Sequence, residues 1–209
     1  AMKKPDGTYR TYDEMMADGI PTFYEGYWQA KARNEFGEII TCTGMDDVTG
    51  QGYPFANHMF GIFMAEVAVD TKTGKAMVEK FTLVSDVGKI NNFDVVEGQH
   101  FGGIAQGIGL ALTEDFQDPR KYTNLVTCGF PYIKDIPDDI KLYHMETARE
   151  FGPFGASGTG EMPLSAPHPA IVNGIARACG VRIFQIPALP EKILSGMKEQ
   201  EGHNCGCSH

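Results

Sequence analysis

The sequence predicts an α+β fold: an antiparallel or mixed sheet with helices packed on it. Three observations carry that reading. Phe63, Ala65, Val67 and Val69 alternate with Met64, Glu66, Ala68 and Asp70, the period of a strand with one covered face. Asp70-Thr71-Lys72-Thr73-Gly74 supplies a hairpin turn, and Ala76 to Ser85 returns as the partner strand. After the hairpin the order is helix, strand, helix, strand, helix, and no internal repeat is visible.

The elements follow in order. Thr11-Tyr12-Asp13-Glu14 fits a capping box that opens a two-turn helix, which Gly19 stops. Phe23 to Ala32, with Tyr24, Tyr27 and Trp28, reads as a strand. Residues 33–56 read as a long loop with a short strand at Ile39-Ile40-Thr41-Cys42. After the hairpin, a turn at 86–92 leads into a helix from Phe93 to Asp115 that carries Gly98, Gly102, Gly103, Gly107 and Gly109. Each interior glycine costs roughly 0.5–1 kcal/mol relative to alanine, so a close backbone or a ligand must offset them. Pro119, Pro131 and Pro137 make 117–139 a loop with at most a short helix. Ile140 to Met145 reads as a strand, and 146–160 as a glycine-rich loop. Ser165 is expected to cap a helix from Ala166 to Cys179, ended by Gly180. Val181 to Ile186 reads as a strand, and Leu189 to Lys198 as the last helix.

Composition narrows the function classes. The 209 residues suit one large domain, or two small lobes sharing a core. Lys and Arg number 18 against 27 Asp and Glu, the wrong balance for a nonspecific nucleic-acid binder. No basic cluster suits an anionic membrane, and no apolar run is long enough to span one. The five cysteines are odd in number and mostly far apart, which points to reduced thiols and a cytoplasmic setting. Ala1 ahead of Met2 reads as added sequence, and the chain is expected to be a piece of a longer protein. Cys205 and Cys207, with His203 and His209, could bind a soft metal ion, but a frayed polar tail at 202–209 is the simpler expectation.

Two stretches could carry chemistry. Gly155-Ala156-Ser157-Gly158-Thr159-Gly160-Glu161 can turn several backbone N–H groups toward an anion. Glu161, next to Met162 and Leu164, would have a raised pKa and act as a general base; the alternative is a surface turn with a solvated carboxylate. Asn92 through Gly109 presents the amides of Asn92, Gln99 and Gln106 among small residues. The alternative there is a helix–helix contact at Gly103 and Gly107. His58, His100, His144 and His168 form no paired zinc motif, and neither a nucleophile elbow nor a P-loop is present.

Together, Gly98-Gln99-His100-Phe101-Gly102-Gly103-Ile104-Ala105-Gln106-Gly107-Ile108-Gly109-Leu110 and Gly155-Ala156-Ser157-Gly158-Thr159-Gly160-Glu161-Met162-Pro163-Leu164 closely resemble the molybdenum hydroxylases, the xanthine oxidase family. The likeness is greatest to bacterial aldehyde oxidoreductases and runs from Lys4 to Lys192. It implies that residues 1–201 are the C-terminal part of a molybdopterin-binding domain. It implies Glu161 as the base that activates water for attack on an aldehyde carbon. It further implies cofactor contacts from Asn92, Phe93, Asp94, Val95, Val96, Glu97, Gly98 and Gln99, and from Ser157, Gly158, Thr159 and Gly160. The implied cofactor is molybdopterin with molybdenum, in its cytosine dinucleotide form, and no residue of this chain is expected to ligate the metal. Family enzymes run to several hundred residues. The [2Fe–2S] clusters are expected only in the parent protein, since no cysteine cluster here could hold one. The expected partners are the remainder of the parent enzyme or partner subunits, and a small aldehyde. A separate small subunit, or a non-catalytic module of an enzyme acting on a purine, is the rival reading.

Overall fold

The structure is a computed structural model that describes residues 3–23, 25–27 and 29–204, with the side chains of 201–204 left aside. Tyr24, Trp28, Cys205 and Cys207 lie outside the described residues. The chain divides into two compact units, residues 1–54 and 55–209.

In the first unit, α1 (Tyr12–Ala17) opens on the expected capping box. The Glu14 amide donates to Thr11 Oγ1 at 3.3 Å, and the Thr11 amide donates back to Glu14 Oε2 at 3.0 Å. β1 (Lys31–Arg33) and β2 (Ile39–Thr41) form a small antiparallel pair. Among the described residues of the strand expected from Phe23 to Ala32, only Lys31 and Ala32 lie in β1, because β2 offers only three residues to pair with.

In the second unit, β3 (Phe60–Val69) and β4 (Ala76–Asp86) form the hairpin, and β5 (Asp139–Met145) joins β4 in parallel. The sheet is thus mixed, in the order β3-β4-β5. At the hairpin, Asp70 Oδ1 accepts from the Lys72 amide at 2.8 Å. Gly74 takes a φ of +74°, and a side chain there would strike the Pro190 carbonyl.

Register assigns residues to the two faces. One face carries the cross-strand rows Phe63–Leu83–Leu142 and Ala65–Phe81–Ile140. These pack with Ile104, Ile108, Ile171, Ile175 and Ile193 of the helices to form the core. The next row on that face is Gly61–Ser85–His144, a polar row at the end of an apolar sheet.

The helices of this unit are α2 (Phe93–Leu112), α3 (Met162–Ser165), α4 (Pro167–Cys179) and α5 (Pro190–Asn204). Gly174 of α4 sits against β3, where a Cβ would lie 2.6 Å from Val67 Cγ2. Two expectations are corrected. Ser165 does not cap α4: it ends α3, and its hydroxyl donates to the Glu161 carbonyl at 3.0 Å. Residues 181–186 form no strand. The Gln185 and Pro187 carbonyls accept from Lys192 Nζ instead of a sheet neighbour, at 3.0 and 2.9 Å. The loop at 117–139 holds one short turn of tight helix, Ile133–Asp135. No described helix is long and apolar enough to cross a membrane.

Candidate cofactor site

The site begins at the turn between β4 and α2. Gly88 has a φ of +74°, and a Cβ there would lie 2.6 Å from the Gly155 carbonyl oxygen. That closeness lets the loop at 149–157 dock on the turn. The Lys89 and Arg149 amides both donate to the Gly155 carbonyl at 2.8 Å, and the Ser157 amide donates to the Val87 carbonyl at 2.8 Å. The Arg149 guanidinium reaches the Asp86 carboxylate at 3.1 Å and the Asp86 carbonyl at 3.1 Å. Burial opposes ionisation of Asp86, but bonds from Thr147 and Gly88 and the charge of Arg149 outweigh it and hold the carboxyl below its usual range. The glycine-rich loop is thereby pinned beside the N-terminus of α2.

Further bonds tie the loop to the second turn of α2. Gln99 Nε2 donates to the Gly160 carbonyl at 2.6 Å. His100 Nε2 lies 3.2 Å from Thr159 Oγ1. These contacts bring together two stretches some sixty residues apart in sequence. Glu161 follows at the entrance to α3, and its side chain is exposed. Its neighbour Met162 turns into the core.

The other expected contact residues divide by role. Asn92 caps α2, accepting from the Val95 amide at 3.2 Å. Phe93, Asp94 and Val95 are exposed around that helix end. The Val96 side chain is buried in the core, because it starts the inward stripe that continues at His100, Gly103 and Ile104, which leaves its backbone for the expected contact. Glu97 points to His144, with Oε1 3.5 Å from Nε2. A Cβ built on Gly98, Gly102, Gly158 or Gly160 would meet nothing within 4 Å. One built on Gly103 would lie 2.8 Å from Pro163 Cβ, and on Gly107 2.6 Å from Pro167 Cβ. The helix-contact reading therefore holds for Gly103 and Gly107, while Gly98 and Gly102 face open space.

Sequence reasoning missed the layer beneath the loop. His100 is fully buried, and its ring stacks on that of His144 at 5.3 Å between centroids. His144 Nδ1 lies 3.1 Å from Ser85 Oγ, and Phe93 packs edge-on against the His144 ring. Burial, aided by His144 and opposed by Glu97, lowers the pKa of His100 to about 4. No spacing motif signals this pair, because sheet register brings His144 beneath α2. Among the described residues, no group of three or more His, Cys, Asp or Glu side chains could hold a metal ion.

The family model of the molybdopterin cofactor-binding domain matches residues 1–137. Aldehyde oxidoreductase of Megalodesulfovibrio gigas is 49% identical over 198 residues, 95% of this chain and 21% of that protein. The crystal structure of the aldehyde oxidoreductase from Desulfovibrio desulfuricans ATCC 27774 superposes with a TM-score of 0.75 at 51% identity, covering 94% of this chain and 20% of that one. The nicotine 6-hydroxylase large subunit of Paenarthrobacter nicotinovorans is 34% identical over 63% of this chain and 17% of that one. The chain thus spans about a fifth of the length of these aldehyde oxidoreductases. It belongs to the molybdopterin cofactor-binding domain family of xanthine oxidase-type enzymes.

Proposed function

We propose that residues 1–201 are the C-terminal molybdopterin-binding part of an aldehyde oxidoreductase, inactive without the rest of that enzyme. One observation carries the reading: the loop ending in Glu161 is bonded directly to the second turn of α2, leaving Gly98, Gly102, Gly158 and Gly160 facing open space. A flat or anionic group can approach backbone there without meeting a side chain. The residues present therefore fit molybdopterin. The 49% identity to a protein named aldehyde oxidoreductase supports the aldehyde as substrate class. The cytosine dinucleotide form of the cofactor is carried over from the family resemblance.

When bound, the cofactor supplies the two-electron acceptor and the Lewis acid that acidifies water. The chain's own residues do the rest. The N-terminus of α2, a helix of 20 residues, offers unpaired amides and a positive dipole end to phosphate oxygens. Gln99 holds the Gly160 carbonyl and so fixes the approach to Glu161. The Glu161 carboxylate takes a proton from water as its oxygen attacks the aldehyde carbon. The rest of the parent, or partner subunits, would supply the remaining cradle, the substrate channel and the [2Fe–2S] clusters, with the cytoplasm as the setting.

Glu161→Gln in the whole enzyme should abolish aldehyde oxidation while molybdenum content stays unchanged. Substantial residual turnover would remove Glu161 as the base. An immunoblot of source cells should show a polypeptide several times heavier than 22.9 kDa. A band at that mass would favour a separate small subunit. The likeness to a nicotine 6-hydroxylase supports a second reading, a heterocycle as substrate. A panel of aldehydes and N-heterocycles, purines included, decides between them.

A further inference from the structure

The imidazole of His100 is fully buried beneath the loop, yet only one of its nitrogens has a partner. Nε2 lies 3.2 Å from Thr159 Oγ1, whereas Nδ1 is buried with no hydrogen-bond partner among the described residues. The ring also stacks on a second imidazole, His144, which Ser85 holds at Nδ1. A charged imidazolium would place an unpaired N–H in the interior, against the stacked His144 ring. The neutral form is therefore favoured, and it has one N–H to place. On Nδ1 that proton would be an orphaned buried donor, the rarer and costlier fault. On Nε2 it meets the Thr159 oxygen and leaves a bare lone pair behind.

We propose that His100 is a positioning residue: as the Nε2–H tautomer it donates to Thr159 Oγ1, so that the Thr159 hydroxyl must give its own proton outward, to an anionic acceptor of the bound cofactor. Thr159 stands between Gly158 and Gly160, the two loop residues with open space at their Cβ positions. A free threonine hydroxyl can rotate between donating and accepting. One already receiving a bond from His100 is set as a donor before the ligand arrives, which is preorganisation rather than new contact. The inference rests on the reading of the site as a molybdopterin cradle.

The test is a double-mutant cycle in the whole enzyme that carries this segment, read as molybdenum and pterin retained on prolonged dialysis. His100→Leu and Thr159→Val should each speed cofactor loss about tenfold, the value of one hydrogen bond to a charged group. The double variant should lose it no faster than either single one, within about twofold. His100→Gln, whose amide can donate from a similar place, and Thr159→Ser should restore retention. Multiplying effects in the double variant, or a His100→Gln as poor as His100→Leu, would overturn the proposal. If His100→Leu does not fold, Thr159 decides alone: equal retention by Thr159→Val and Thr159→Ser overturns it. A wild-type enzyme purified without molybdopterin would sink the underlying reading and this inference together. A loaded wild type whose Glu161→Gln form is inactive, with a multiplying cycle, would sink the inference only.

Discussion

The two halves of α2 contain the same residue types for opposite reasons. In the C-terminal half, Gly103 and Gly107 are glycines because Pro163 and Pro167 occupy the space a side chain would need. In the N-terminal half, a side chain at Gly98 or Gly102 would meet nothing within 4 Å among the described residues, so no contact seen there offsets their cost in helix stability. One half is built for packing, and the other is open; under the proposed function that opening takes the cofactor. The seam between them is His100, which is buried like the first half and bonded to the loop like the second.

The largest expected effect tests that seam. The pKa of His100 is lowered to about 4 in the folded chain, below the ordinary 6.5 it regains on unfolding. Above pH 6.5 both states are neutral and stability does not depend on it. As pH falls toward 4, only the unfolded state takes up the proton, so stability is lost across that window, on the order of 3 kcal/mol in all. Urea unfolding of wild type and His100→Gln at pH 7 and pH 4.5 should show a steeper acid loss in wild type. Equal losses would mean that His100 is protonated freely and does not belong to the packed side.

A slightly smaller effect separates the halves directly. Gly107→Leu should cost about 2–3 kcal/mol, because Pro167 is part of the chain turn into α4 and cannot move aside cheaply. Unfolding midpoints for Gly107→Leu and Gly98→Leu should therefore differ widely, and matching midpoints would break the comparison.

The smallest effect has the opposite sign. Gly98→Ala and Gly102→Ala should each stabilise the chain by about 0.5–1 kcal/mol, since alanine is the better helix former and meets no neighbour. In the whole enzyme the same substitutions should lower molybdenum content. A variant that gained stability and kept full cofactor would show that the open face is not the ligand's.

Local signals were legible where a short stretch decides its own structure. The capping box of α1, the β3–β4 hairpin and the left-handed Gly180 that ends α4 were each readable from a few residues. Asn92 was expected as a cofactor contact, and its role as the cap of α2 was not read from the sequence. Signals failed where a partner outside the expected element decides. Residues 181–186 have a strand's composition, but the Gln185 carbonyl, with that of Pro187 just beyond, is taken by a lysine in α5. Ser165 has a cap's identity, but it bonds back to Glu161 and ends the preceding turn instead.

The sequence by itself determined the α+β class, the glycine-rich helix and the loop that ends in Glu161, because periodicity, turn chemistry and motif are properties of neighbouring residues. Only the tertiary structure decided which glycines pack and which stay open, since that depends on Pro163 and Pro167 arriving from sixty residues away. It alone placed His144 under His100, because sheet register sets Ser85 and His144 in one row and α2 lies across it. Contacts of that kind are made by the fold, and no local pattern encodes them.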